Sequence, residues 1–129
     1  MAFKIGFACI GGWIGMFLGG VDGLIYALIG FVVVDYLTGV MLAITQKKLS
    51  SAVGAKGIAK KVLIFALVGL ANIVDVSILE GNGSPIRDAV IFFYIANEGI
   101  SLTENMANLG LPVPKKFKKI LEQLKEENE

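Results

Sequence analysis

The chain of 129 residues contains no histidine, and Cys9 is its single cysteine. Without His there is no imidazole base for Ser-His-Asp chemistry. Without a His/Cys set there is no metal site of the common kind, and one thiol cannot close an internal disulfide. Charge is scarce too: 18% of residues are Asp, Glu, Lys or Arg, where a soluble domain averages about 25%. The glycine-rich phosphate loop, H-E-x-x-H and G-x-S-x-G are all missing, and Gly81-Asn82-Gly83 reads only as a turn. Lysine clusters without interleaved aromatics read as topology signals and not as nucleic-acid sites. No enzyme, metal, cofactor or nucleic-acid partner is expected.

What is present is apolar. Hydrophobic residues make up 55% of the chain and the mean hydropathy is +0.72. The charges are shut out of long blocks, which predicts an all-α integral membrane protein of three to four transmembrane helices, working as an oligomer. The expected spans are 5–21, 24–44, 62–79 and 86–109, forming a transmembrane domain over 1–111. Residues 112–129 follow as a charged, amphipathic cytoplasmic tail, with Phe117, Ile120, Leu121 and Leu124 on one helical face. A signal peptide is conceivable from Lys4 and the apolar run after it. With no A-x-A-like cleavage site following, the N-terminus is read as retained.

The second span carries the central question. Its 21 residues match the ~20 needed to cross ~30 Å of hydrocarbon at ~1.5 Å each, yet Asp35 sits in the middle. Thirteen of the 21 are Leu, Ile, Val, Phe or Met. At roughly 0.3–0.6 kcal/mol each, they outweigh the ~2.5–3.5 kcal/mol cost of a central Asp. Asp22 is placed to cap this helix, and Ser84 with Pro85 to start the fourth. Gly110 is a natural stop for that fourth helix. In the first span Gly11, Gly15, Gly19 and Gly23 recur every four residues, a ridge suited to close helix packing in lipid, and Gly39 is a further packing position.

The lysines orient the chain. With four spans, alternate segments hold eleven cations (Lys4; Lys47, Lys48, Lys56, Lys60, Lys61; Lys115, Lys116, Lys118, Lys119, Lys125) against Arg87 alone. The positive-inside rule then places the 47–61 connector and the C-terminus in the cytoplasm. These basic clusters, beside a bilayer, also favour anionic lipid.

Asp35, Asp75 and Glu98 lie within or near hydrocarbon depth, and no Lys or Arg falls in the interior of any expected span. Such acids either keep a proton or line a water-filled cavity between helices. Tyr94, Glu98, Ser101, Asn105 and Asn108 are spaced 4, 3, 4, 3 on the fourth helix, with Asn97 beside them. A polar seam of that kind faces other helices or water, not lipid. It reads equally as a hydrogen-bonded bundle interface or as a pore-lining face.

Three stretches resemble the bacteriophage holins of the toxin-secretion/phage-lysis type, a group that includes holin-like proteins of clostridial toxin loci. They are VDYLTGVMLAI at 34–44, with Asp35, Leu37 and Gly39 as a D-x-L-x-G core; KKLSSAVGAKGIAKKV at 47–62; and ENMANLGLPVPKKFKKIL at 104–121. Asp75, in its Ile73-Val74-Asp75 run, also looks like a feature of that family. The resemblance implies a small protein of the bacterial cytoplasmic membrane that oligomerises into lesions. These release a cell-wall-degrading endolysin, or in some relatives a toxin, without requiring direct contact with it. Two other readings stand beside it: a small ion or solute transporter using Asp35 and Glu98, and a scaffold subunit binding a partner through its tail.

Overall fold

The computed structural model describes residues 2–129. Among them are five α-helices and no strand: α1 (Ala2–Phe17), α2 (Gly23–Thr45), α3 (Ser51–Ile73), α4 (Pro85–Asn108) and α5 (Lys115–Asn128). A π-helical turn, Val74–Ile78, extends α3. α2, and α3 together with that turn, are long and apolar enough to cross a membrane, at 23 and 28 residues. The other two expected spans do not meet that description. α1 is apolar but has 16 residues, about 24 Å of helix. α4 has the length, at 24 residues, but its polar residues leave it less apolar than α2 or α3.

Local chemistry sets the helix ends. The Asp22 carboxylate accepts a hydrogen bond from the Ile25 amide at 3.0 Å, satisfying one of the free donors at the start of α2. Ser50 does the same for α3, accepting from Val53 at 3.2 Å. α3 therefore begins eleven residues before the expected 62, and the 47–61 connector is not a loop. Lys56, Lys60 and Lys61 are helical, and only residues 46–50 join α2 to α3. Gly110, at φ +95°, ends α4, and the Leu111 amide folds back to the Met106 carbonyl at 2.9 Å, the left-handed stop expected of glycine there.

Side-chain contacts fix how the helices run. Tyr36 Oη donates to the Gly54 carbonyl across the α2–α3 hairpin, so those helices are antiparallel. α4 runs parallel to α2: Arg87 meets Asp22 at one end and Asn105 meets Asp35 well along. α5 turns back along α4, with Leu121 against Gly99 and the Lys125 ammonium 5.8 Å from the centre of the Phe93 ring. Leu18, Ile25, Leu28, Val32, Ile64, Val68, Ile91 and Ile95 form the buried core between α2, α3 and α4.

The glycine ridge expected down the first helix does not form. α1 stops at Phe17; Gly19 and Gly20 take left-handed turn conformations at φ +85° and +102°, and Gly23 opens α2. Gly11 faces open space, whereas Gly15 meets Val21. Of the four, Gly19 does pack closely, but at the turn and not on a ridge: a side chain there would collide with Asn72 and Arg87. The other tight positions lie outside the pattern. A side chain at Gly69 would collide with the Phe17 ring, and one at Gly99 would collide with both Leu121 and Phe31.

The outer surface is sharply divided. Large hydrophobic side chains stand exposed all along α1, α2 and α3, Phe3, Trp13, Tyr26, Val62, Leu63 and Leu70 among them, whereas α4 exposes Ile86 alone of this kind. Monomeric soluble proteins rarely present apolar patches beyond a few hundred Å². Lipid is the medium that suits such a face.

Candidate functional site

One lysine and two acids from three helices converge inside the bundle. The Lys61 ammonium of α3 lies 2.6 Å from Asp35 Oδ2 of α2 and 2.6 Å from Glu98 Oε2 of α4. The three side chains are 16%, 9% and 7% exposed, so all are largely removed from solvent. The expectation that no cation lies within a span is overturned, because Ser50 caps α3 so early that Lys61 becomes its eleventh residue. Asp35 and Glu98 are paired.

Around this cluster the polar atoms are connected. Asn105 Nδ2 donates to Asp35 Oδ1 at 3.2 Å and to Thr38 Oγ1 at 3.1 Å. Thr38 Oγ1 donates to the Val34 carbonyl at 2.8 Å, a local bond that spares the hydroxyl from burial without a partner. Among the described residues no buried side-chain polar atom lacks a hydrogen bond. Removing two carboxylates and an ammonium from water costs several kcal/mol per ion, and only such a complete set of partners offsets it. A cavity of about 260 Å³ adjoins the cluster, with Asp35, Tyr36, Lys61, Ser101 and Asn105 among its lining residues.

The expected seam is only partly drawn together. Glu98, Ser101 and Asn105 join Asp35. Tyr94, Asn97 and Glu98 line a second groove between α3 and α4 together with Lys60. Asn108 is exposed at the end of α4, apart from the cluster. Asp75 belongs to a different site. It is 1% exposed, and its two oxygens accept from the Ile86 and Arg87 amides at 3.0 and 2.8 Å. It is therefore Asp75, from the preceding helix, that caps α4, whereas Ser84 makes no side-chain cap bond. The π-helical turn begins one residue before Asp75, and such single widened turns are frequent at functional sites.

Asp75 sits in a clamp centred on Arg87, 2% exposed. Its guanidinium donates to the Leu18 carbonyl at 2.6 Å, the Gly20 carbonyl at 3.1 Å and Asp22 Oδ2 at 3.0 Å. Asn72 adds a bond to the Phe17 carbonyl. The clamp ties the α1–α2 turn, the end of α3 and the start of α4 into one node. The Arg87 hydrogen bonds hold the Asp22 carboxyl below its ordinary pKa. Neither Arg87 nor Lys61 stood out in the sequence as an interior partner, since each lies at the edge of an expected span, Lys61 just before 62 and Arg87 just after 86.

Ionisable groups paired in the interior and apolar side chains turned outward on α1–α3 define a small helical membrane protein. The chain belongs to the bacteriophage holin family, whose model matches residues 12–126. It is 42% identical over 118 residues to an uncharacterized protein of Listeria innocua, covering 92% of this chain and 83% of that one. An uncharacterized protein of Clostridium perfringens is 37% identical over 128 residues, 99% of this chain and 94% of the relative. A protein of Bacillus phage phi105 named "Probable holin" is 42% identical over 82 residues, 64% of this chain and 59% of that one. No solved structure matches the chain.

Proposed function

We propose that this protein is a holin: it gathers in the bacterial cytoplasmic membrane as the closed bundle described above, then assembles into lesions through which an endolysin or a toxin leaves. Family membership supports the role, and one structural observation carries the mechanism. The bundle encloses a salt-bridged cluster, Asp35–Lys61–Glu98, at the middle of helices whose outer faces suit lipid. A closed monomer hides these charges by pairing them; an assembly that admits water stabilises the same groups by hydration instead. Assembly thus exchanges internal ion pairs for hydrated ones, with Glu98, Ser101 and Asn105 as the residues of α4 that water admitted through the flanking grooves reaches.

Orientation follows from the same chain. Lys47, Lys48, Lys56 and the lysines at the start of α5 collect at the end of the bundle bearing the α2–α3 connection, which the positive-inside rule assigns to the cytoplasm. The transporter reading has less support, because Lys61 already engages both carboxylates that a transported cation would need. The scaffold reading also has less, because α5 spends Leu121 and Leu124 on its own bundle. Induced expression in a bacterium, together with an endolysin, tests the assignment. Abrupt loss of membrane potential followed by lysis is expected, and cells that stay energised at high expression would refute it.

A further inference from the structure

Two contacts set the depth of α5. Leu121 packs on Gly99, whose neighbour Glu98 shares Lys61 with Asp35. Asp35 is the thirteenth of the 23 residues of α2, so Leu121 lies beside the middle of a membrane-length helix. Lys125 at Phe93 carries α5 further along the same path. At this depth α5 presents Lys118, Glu122 and Glu126, all exposed and spaced four apart on one helical face. None of them pairs with an opposite charge among the described residues. Lys60, exposed beside Lys61, adds a fourth charge at this level.

Hydrocarbon accommodates the exposed faces of α1, α2 and α3, but not this one. Resting on the pore-forming reading above, we propose that the charged face of α5, with the helix still docked on α4, lines a water-filled lumen enclosed by several copies of the chain. Docking and wetting go together: Leu121 is buried against α4 and Leu124 packs on the core, so that, apart from the exposed Phe117 and Ile120, the outward side of α5 is the charged one. A single molecule cannot keep water along a helix that reaches mid-membrane. Copies related by rotation about the membrane normal can, each turning α1–α3 to lipid and α5 inward. The lumen then begins with Lys115, Lys116, Lys118 and Lys119 and becomes acidic deeper in, at Glu122, Glu126 and Glu127.

The test locks α5 in place. In a Cys9→Ser background, Gly99→Cys with Leu121→Cys permits an α4–α5 disulfide, and separately Phe93→Cys with Lys125→Cys permits an α4–α5 bridge by a short, reducible bis-methanethiosulfonate. The full chain is reconstituted in phosphatidylethanolamine/phosphatidylglycerol vesicles holding a trapped dye. Cross-linked protein is expected to release dye within about twofold of the rate after reduction. Release that stops on cross-linking and returns on reduction would show that α5 must leave, and would overturn the proposal. So would failure of both pairs to cross-link in vesicles while their thiols still react with maleimide. Adding Glu122→Lys and Glu126→Lys to the locked protein should move the zero-current potential in a KCl gradient toward that of chloride, and no movement would place this face away from the lumen. If the Cys9→Ser parent never releases dye, the pore-forming reading itself fails, an outcome distinct from any displacement of α5.

Discussion

Lys61→Met is the sharpest single perturbation, because one substitution removes the cation that serves two buried acids. Methionine keeps the length and apolar stem of lysine, so packing against α2 changes little. Both 2.6 Å contacts disappear, leaving Asp35 and Glu98 in the interior with no cation. Breaking a buried ion pair by deleting one partner costs about 3–5 kcal/mol. With a tenfold change for each 1.4 kcal/mol, the closed form loses stability by a factor between about a hundred and a few thousand. The cavity beside the cluster gives the acids some access to water, which favours the lower end. We predict premature lysis on induction with an endolysin, and a lower denaturant midpoint for the purified protein in micelles. Unchanged lysis time together with an unchanged midpoint would refute the view that this cluster holds the bundle closed.

Other substitutions probe the remaining joints. Gly99→Ala places a methyl against Leu121 and Phe31, contacts of 2.8–2.9 Å; overpacking of this kind costs about 1–3 kcal/mol, and faster tryptic cleavage within 115–125 is expected, with unchanged cleavage counting against the docked α5. Asp75→Ala leaves the buried Arg87 amide and the partly buried Ile86 amide without acceptors, a loss of about 1–3 kcal/mol that thermal unfolding in detergent should register and that Ser84→Ala should not reproduce. Asp22→Asn tests the clamp through pH. The folded carboxyl is held below its ordinary value of 3.8 by Arg87, so its contribution is complete above that value and fades as pH falls through the folded pKa. Wild type should therefore exceed the variant in stability at neutral pH and converge with it in strong acid; a gap that persists there would contradict the assignment.

The helical class and most helix ends could be read from local chemistry. Asp22 as a cap and Gly110 as a stop are properties of one residue and its immediate neighbours, and both stand in the structure. Ser50 supplied an equally local signal, but the lysines after it outweighed it, and the start of α3 was displaced far enough to hide Lys61 among the connector residues. The cap of α4 was illegible for another reason. Asp75 reaches the α4 amides across a turn, a relation between two elements that no sequence window contains. The glycine ridge failed because a spacing of four is only a ridge while the helix continues, and Gly19 and Gly20 end it. Gly69 and Gly99, which do pack closely, carry no neighbouring pattern; the aromatic and leucine that fill them arrive from distant helices.

If charge drives the closed bundle toward water, erasing all of it at the cluster should have the opposite consequence from erasing the cation alone. The triple variant Asp35→Asn, Lys61→Met, Glu98→Gln leaves no ion in the interior and keeps amide groups able to use Asn105 and Thr38. Replacing a complete buried ion cluster by well-packed apolar residues of similar volume is often neutral or stabilising by about 1–4 kcal/mol; buried amides forgo that gain but leave no unpaired charge, so the closed form should survive with a denaturant midpoint above that of Lys61→Met. Hydration of the opened state, however, loses its strongest contributors. The triple variant is therefore predicted to insert normally and to lyse late or not at all, whereas Lys61→Met lyses early. Should the two variants shift lysis in the same direction, the cluster would be a packing element only, and the exchange of ion pairs for water would not be what opens this protein.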